Sequence, residues 1–258
     1  MSNNLLKGKR GIIFGALNDM SIAWKVAERA QEEGATFTLT NAPIAMRMGA
    51  INDLAEKTNS KVIPADATSV EDLKHLFEKS QEILGGKVDF VLHSIGMSPN
   101  VRKKKQYTGL NYEWYKQTLD VSAMSLHKTL QVAYDMDALN NWGSVLALTY
   151  IAAQRIFPDY NDMADAKSLL ESITRSFGYH YGTAKKVRVN TISQSPTVTT
   201  AGSGVSGFDK FISFSENMSP LGNAGALDCA NYCIAMFSDL TKYVLSLIHI
   251  SEPTRHRL

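Results

Sequence analysis

Gly11-Ile-Ile-Phe-Gly15-Ala-Leu-Asn-Asp-Met-Ser21-Ile-Ala-Trp-Lys-Val26-Ala-Glu-Arg-Ala30-Gln-Glu-Glu-Gly34 is the stretch that decides the fold. A short apolar run closing on glycine reads as a buried strand. Ile22, Ala23, Val26, Ala27 and Ala30 then recur at helical spacing from Ser21 to Glu33, and Gly34 supplies a stop. The same strand–turn–helix unit repeats outward from there. Residues 35–40 alternate as a second strand, a helix is predicted near 50–57, and a third strand near 61–65. A helix over 70–84 leads into a buried fourth strand over 87–94. Beyond it the pattern predicts helix from about 114 to 137, strand over 144–148, helix from about 160 to 181, and strand over 187–192. Such alternation requires crossover connections and a parallel sheet covered on both faces. No internal linker or repeat interrupts it, so the expectation is α/β: one doubly wound domain over residues 1–244.

Composition permits one large domain. The chain has 258 residues, 44% of them hydrophobic, and a formal charge of +2. That near-neutral balance points to no nucleic-acid and no membrane partner. Cys229 and Cys233 cannot frame a disulfide scaffold. Their i, i+4 spacing places them on one helix face, where buried filler is the expected role. No metal is expected, since neither the cysteines nor the histidines have ligand spacing. The first ten residues lack the apolar stretch of a signal peptide, and no 18-residue apolar run occurs, so the expected location is cytoplasmic.

In a doubly wound sheet ligands bind where strands end at their carboxyl side. Gly15 to Ala23 is the first such loop. Gly15 permits close backbone approach, Ser21 suits an N-cap, and the helix opened by Ile22 offers its N-terminus to a pyrophosphate. The spacing is not G-x-G-x-x-G, so an ordinary βα turn stays open as the alternative. Asp66 and Ala67 follow strand three, placed to accept from an adenine amino group or, equally, to cap the helix through Thr68-Ser69-Val70. In Ser94-Ile95-Gly96, a glycine at the strand end leaves room for ribose or nicotinamide. Thr197, Val198, Thr199, Thr200 and Ala201 are placed to wrap the nicotinamide side. The acid that usually ends strand two and binds the adenosine ribose is absent; Thr40-Asn41-Ala42-Pro43 stands there, with Arg47 beyond.

Tyr160 and Lys167 are the candidate chemistry. Seven helical residues make two turns less about 20°, which would put both side chains on one face roughly 10 Å apart. A lysine there can hold a cofactor and lower the pKa of a nearby phenol, and the phenol can donate to an oxygen that gains charge. Alone the spacing is weak, and amphipathic surface residues would look the same. Its place after two βα units and a glycine turn makes it informative.

These residues together resemble the NADH-dependent enoyl-acyl-carrier-protein reductases of the short-chain dehydrogenase/reductase superfamily. The resemblance covers about residues 5–244. It is carried by Gly15 to Ala23, His93-Ser94-Ile95-Gly96, Leu148-Thr149-Tyr150 with Tyr160 and Lys167, and Arg188 to Ser193. The forms from Bacteroidetes are most similar, sharing Gly-Ala-Leu-Asn and Ser-Gln-Ser-Pro. It implies a Rossmann-like fold and reduction of a trans-2-enoyl thioester on an acyl carrier protein. Tyr160 would be the donor to the thioester oxygen, Lys167 the ribose ligand, and Tyr150 a neighbour of the acyl chain, with Met97 and Ser98 bordering the substrate. NADH is the implied cofactor; Arg47 leaves NADPH as the alternative. Carbonyl-reducing relatives carry a serine 13 positions before the tyrosine. Here that position is Ala147, which disfavours a ketone substrate. A carbonyl reductase and a non-catalytic dinucleotide-binding protein are the competing readings.

The resemblance also implies a homotetramer, joined through the long helices flanking strand five and through the last edge strand. Residues from about 197 to 220, with Gly202, Gly204 and Gly207, are expected to form a substrate lid. Arg102-Lys103-Lys104-Lys105 reads first as a solvated turn and second as a docking patch for an acidic carrier. His93 reads as structural. After Val244 the family would continue into a last strand and a His-Asp-Gly-Gly-Phe segment. Residues 245–258 depart from it, and Ile248 to Arg255 resembles translated sequencing-adapter read-through. That tail is expected to be an assembly artefact, its β-formers replacing the last strand imperfectly.

Overall fold

A computed structural model describes residues 2–47, 50–199 and 208–250. Seven parallel strands form one sheet in the order β3-β2-β1-β4-β5-β6-β7. They are β1 (Arg10–Phe14), β2 (Thr36–Thr40), β3 (Lys61–Val62), β4 (Val88–His93), β5 (Leu139–Thr149), β6 (Arg188–Ser193) and β7 (Ile248–Ile250). The order reverses between β1 and β4, which opens a crevice at the carboxyl ends of those two strands, as a doubly wound sheet requires.

The period of two along each strand sorts side chains between two cores. Ile13, Leu92, Leu146 and Ile192 face α1 (Ile22–Glu32), α3 (Ala50–Lys57) and α10 (Ala226–Phe237). Ile12, Phe14, Val91, Val145 and Val189 face the opposite way. There they meet α4 (Val70–Leu84), α7 (Ser125–Asp135) and α8 (Asp162–Lys185). Cys229 and Cys233 are both buried in the α10 core, as expected of filler. Short α2 (Pro43–Met46), α5 (Pro99–Arg102), α6 (Tyr112–Leu119) and α9 (Phe208–Met218) complete the helices named below.

Three elements differ from the sequence reading. The helix expected over about 114–137 is broken into α6 and α7 by a wider π turn at Asp120–Met124. Strand five begins five residues early because its register against β4 shifts between Val88 and Phe90. The helix expected from Tyr160 starts at Asp162: Pro158–Tyr160 is a separate 3-10 turn, and Asn161 between them has φ 46°. Tyr160 and Lys167 therefore do not share a helix face, and the two-turn spacing argument is corrected.

Strand seven is short but attached. Ile248, His249 and Ile250 align with Thr191, Ile192 and Ser193. Ser246 N–H donates to the Val189 carbonyl at 3.0 Å, and Leu247 N–H to the Asn190 side chain at 3.0 Å. The expected β-formers thus occupy the last strand position, over three residues.

Candidate active site

Four loops meet at the carboxyl edge of β1, β4, β5 and β6. At Gly15 the backbone has φ 91°, open to glycine and strained for other residues, and an added Cβ would collide with the Ser94 carbonyl. The glycine therefore lets the first and third loops touch. The turn after it is held by Ser21. Ser21 occupies the N-cap position of α1, but its hydroxyl donates to the Asn18 carbonyl at 2.6 Å and makes no cap bond. The expected N-cap is corrected on that point: the helix that begins at Ile22 carries no side-chain cap, so its N-terminus stays open toward the loop. Asn41, standing where the ribose-binding acid is missing, donates to the Ala16 carbonyl at 3.1 Å and fastens the same turn. Arg47 is exposed just after α2.

Asp66 accepts from both the backbone and the hydroxyl of Thr68, at 2.9 and 2.7 Å. It does not cap α4; Ser69 does, accepting from Asp72 N–H at 3.2 Å. Asp66 remains exposed, and Ala67 beside it is buried.

Ser94, Ile95 and Gly96 are half-buried in the crevice. Met97 is held by the π turn, its N–H donating to Ser122 Oγ at 2.9 Å. Nothing in the sequence marked that turn, and π turns often sit at functional sites. Ser98 is only 4% exposed; its hydroxyl donates to Asp162 Oδ1 at 2.7 Å and caps α5. Its expected place on the substrate is corrected, since the hydroxyl is committed inside the protein.

Lys167 projects from the second turn of α8 into the same crevice. A Cβ on Gly96 would lie 3.8 Å from its Nζ, which donates to the Leu148 carbonyl at 2.7 Å. Burial pushes its pKa down to about 8, partly opposed by Glu171 one turn along. Glu171 is in turn engaged by Thr149 Oγ1 at 2.9 Å. His93 is fully buried, and burial followed by the Lys167 charge holds its pKa near 3. Its Nε2 lies 2.8 Å from Ser125 Oγ, whose proton goes to the Val121 carbonyl, so the ring donates and stays neutral. It is a structural histidine.

Tyr150 and Tyr160 face each other with ring centroids 5.0 Å apart, and Phe157 packs on Tyr150 at 5.2 Å. Both tyrosines are half-buried. Ala147 is wholly buried inside β5, so no hydroxyl stands where a ketone reductase would need one. On the far loop the Thr197 hydroxyl turns back to the Ser195 carbonyl at 2.9 Å, whereas Val198 is 57% exposed and Thr199 half-buried. Thr200, Ala201 and the glycines at 202, 204 and 207 lie outside the described residues. Arg102 to Lys105 form an exposed turn with no ion pair among the described residues. Among those residues, too, no histidine, cysteine or carboxylate group suits a metal, and no helix is long and apolar enough to cross a membrane.

An open glycine turn before a helix without a side-chain cap, a buried lysine beside the third loop, and a phenol pair just past the end of β5 fit a dinucleotide-dependent reductase of the doubly wound class. The family model described as Enoyl-(Acyl carrier protein) reductase matches residues 15–250, and the chain belongs to that family. "Enoyl-[acyl-carrier-protein] reductase [NADH] 2" of Rhizobium meliloti is 32% identical over 96% of this chain and 91% of its own length. Among solved structures, the FabI–NADH complex from Alistipes finegoldii is 63% identical with a TM-score of 0.96, covering 97% of this chain and 88% of that one. The enoyl-acyl carrier protein reductase of Bacillus cereus with NADP+ is 27% identical with a TM-score of 0.91, covering 100% and 99%. The Alistipes likeness agrees with the Bacteroidetes-like motifs.

Proposed function

We propose that this protein reduces trans-2-enoyl thioesters, carried on acyl carrier protein, to saturated acyl thioesters in fatty-acid synthesis. The observation that carries the reading is the Tyr150–Tyr160 pair, rings 5.0 Å apart, just past the end of β5, whose Leu148 carbonyl accepts from buried Lys167, with a methyl at Ala147. The residues suit NADH: the Gly15 turn has no side chain in the way, α1 has no side-chain cap, and among the described residues the Lys167 ammonium makes no ion pair, with Glu171 acting on it only from a distance. Bound NADH supplies a hydride to the β-carbon of the enoyl group.

The protein's own part is electrostatic and positional. As the thioester oxygen gains charge, a phenol O–H from Tyr160 aimed at it stabilises the transition state more than the ground state. The Lys167 ammonium holds the nicotinamide ribose hydroxyls and adds positive charge nearby. Tyr150 borders the acyl chain, and the enolate becomes the saturated thioester as its C–O bond returns to a carbonyl and the α-carbon takes one proton from solvent. Gly15, Ser21, Ile22, Asp66, Ala67, Ser94, Ile95, Gly96 and Thr197 to Ala201 form the dinucleotide cradle. Residues 197–220 act as a lid.

We further infer a cytoplasmic homotetramer. The α7–α8 pair fits that role: its outer face carries a cleft of about 490 Å³ with Tyr134, Ile173 and Phe177 in its lining, away from the loop crevice.

The test follows NADH oxidation with crotonyl thioester and then with a ketone panel. Turnover of the thioester is expected. Turnover of ketones alone would mean a carbonyl reductase, and binding without turnover a dinucleotide sensor.

A further inference from the structure

We propose that Asp162 is a positioning residue that sets the place of the Tyr160 phenol. The inference rests on the reading of Tyr160 as the donor. Asp162 opens α8 with 0% of its surface exposed. Its Oδ1 accepts from Ser98 Oγ at 2.7 Å, and its Oδ2 from Asn100 Nδ2 at 2.8 Å. Thr118 Oγ1 lies 2.8 Å from that same Oδ2 and 2.8 Å from the Trp114 carbonyl, its single proton serving one at a time. No lysine, arginine or histidine pairs with Asp162 among the described residues.

A buried carboxylate without a cation is costly, and an apolar residue of like size would pack the site more cheaply. The 24-residue helix behind it recovers part of the cost, because negative charge is favoured at a helix N-terminus. What the carboxylate adds beyond packing is direction. It ties the start of α8 to the loop after β4, through Ser98 and Asn100, and to α6, through Thr118.

The neighbouring residue shows why the tie is needed. Asn161 is held at φ 46°, ψ −131°, which L residues adopt rarely, and its buried Oδ1 has no partner among the described residues. Such a residue keeps its shape only when its surroundings over-determine it. Its Nδ2 donates to the Lys105 carbonyl at 2.5 Å, and Asp162 fixes the next residue. Tyr160 lies immediately before this pinned pair, so the backbone leaving the phenol has one path. One turn into α8, Asp165 accepts from Tyr107 and Tyr115 hydroxyls at 3.1 and 3.0 Å, clamping the turn before α6, and α6 itself, to the same helix. Burial, and after it the Asp165 acceptor, pushes the Tyr115 phenol up to about 12, so it stays an un-ionised donor.

The test is a double-mutant cycle on crotonyl-thioester turnover. Asp162→Asn keeps the size but turns one acceptor into a donor facing a donor. It is expected to lower kcat about tenfold or more, since small misplacements of reacting groups cost up to about 100-fold. NADH affinity should stay within about threefold. In a Tyr160→Phe background the same change should cost less than about twofold, because its effect runs through the missing hydroxyl. A purely structural role would give the same factor in both backgrounds, and that result overturns the proposal; so does full kcat in Asp162→Asn. If Asp162→Asn does not fold, Thr118→Val removes one donor and leaves the charge, and the same non-additivity is expected of it. The wild-type assay stands apart: no thioester turnover at all would instead overturn the functional reading.

Discussion

Lys167 bears its charge where burial penalises it, and two opposite pH dependences result. Its pKa is about 8 in the fold, against about 10.5 when unfolded. Between those values the unfolded chain binds a proton that the folded chain has lost, so this group makes stability rise with pH. The hold on cofactor proposed for it runs the other way, because the ammonium is lost above about pH 8. NADH affinity measured by fluorescence titration is therefore expected to weaken several-fold from pH 7 to 9. In Lys167→Met it should be weaker throughout and flat over that range; a slope equal to wild type would assign the titration elsewhere. Tyr160→Phe should lower turnover about 100- to 1000-fold, the usual effect of removing one such donor, with NADH binding nearly intact. Full turnover in that variant would require another donor. Tyr150, Tyr160, Lys167 and Ala147 were singled out by resemblance, while the helical spacing argued for Tyr160 and Lys167 fails because α8 starts after Tyr160. The Asp162 hub was not: an aspartate in a first helical turn looks like an ordinary dipole partner, and its donors stand up to 64 residues away.

At the scale of elements, periodicity carried the strands and helices, and what it missed has local causes. A positive φ at Asn161 moved the start of α8 past Tyr160, and a π turn split one long helical pattern in two. Neither leaves a mark in hydrophobic spacing. The Gly15 turn was legible as a close approach, although the partner it meets is the Ser94 backbone. Gly15→Ala should cost about 1–3 kcal/mol from its φ alone, with the added collision on top. Thermal melting should register a fall of several degrees together with loss of NADH binding; unchanged values would show that the two loops can part freely. For the 197–220 lid, hydrogen exchange should find fast exchange in the cofactor-free protein and slower exchange with NADH and a substrate analogue. Strong protection without cofactor would rule the lid out. The exposed Arg102–Lys105 turn offers a further comparison. Lys103→Glu with Lys105→Glu should raise KM for a carrier-protein thioester and leave the coenzyme A thioester unaffected if the acidic carrier docks there.

The described residues combine a seven-stranded sheet with a core on each face, and the crevice at its edge gathers residues from the ends of β1, β4, β5 and β6. That convergence follows from topology, because the order of strands reverses between β1 and β4. It brings motifs spread from Gly15 to Thr197 to one edge of the sheet, where the proposed site lies. The central claim is reduction of an enoyl thioester by NADH. It is tested most directly by the rate of NADH oxidation with crotonyl thioester, set beside a ketone panel under the same conditions. The account predicts saturable turnover of the thioester and none of the ketones; ketone turnover without thioester turnover would contradict it.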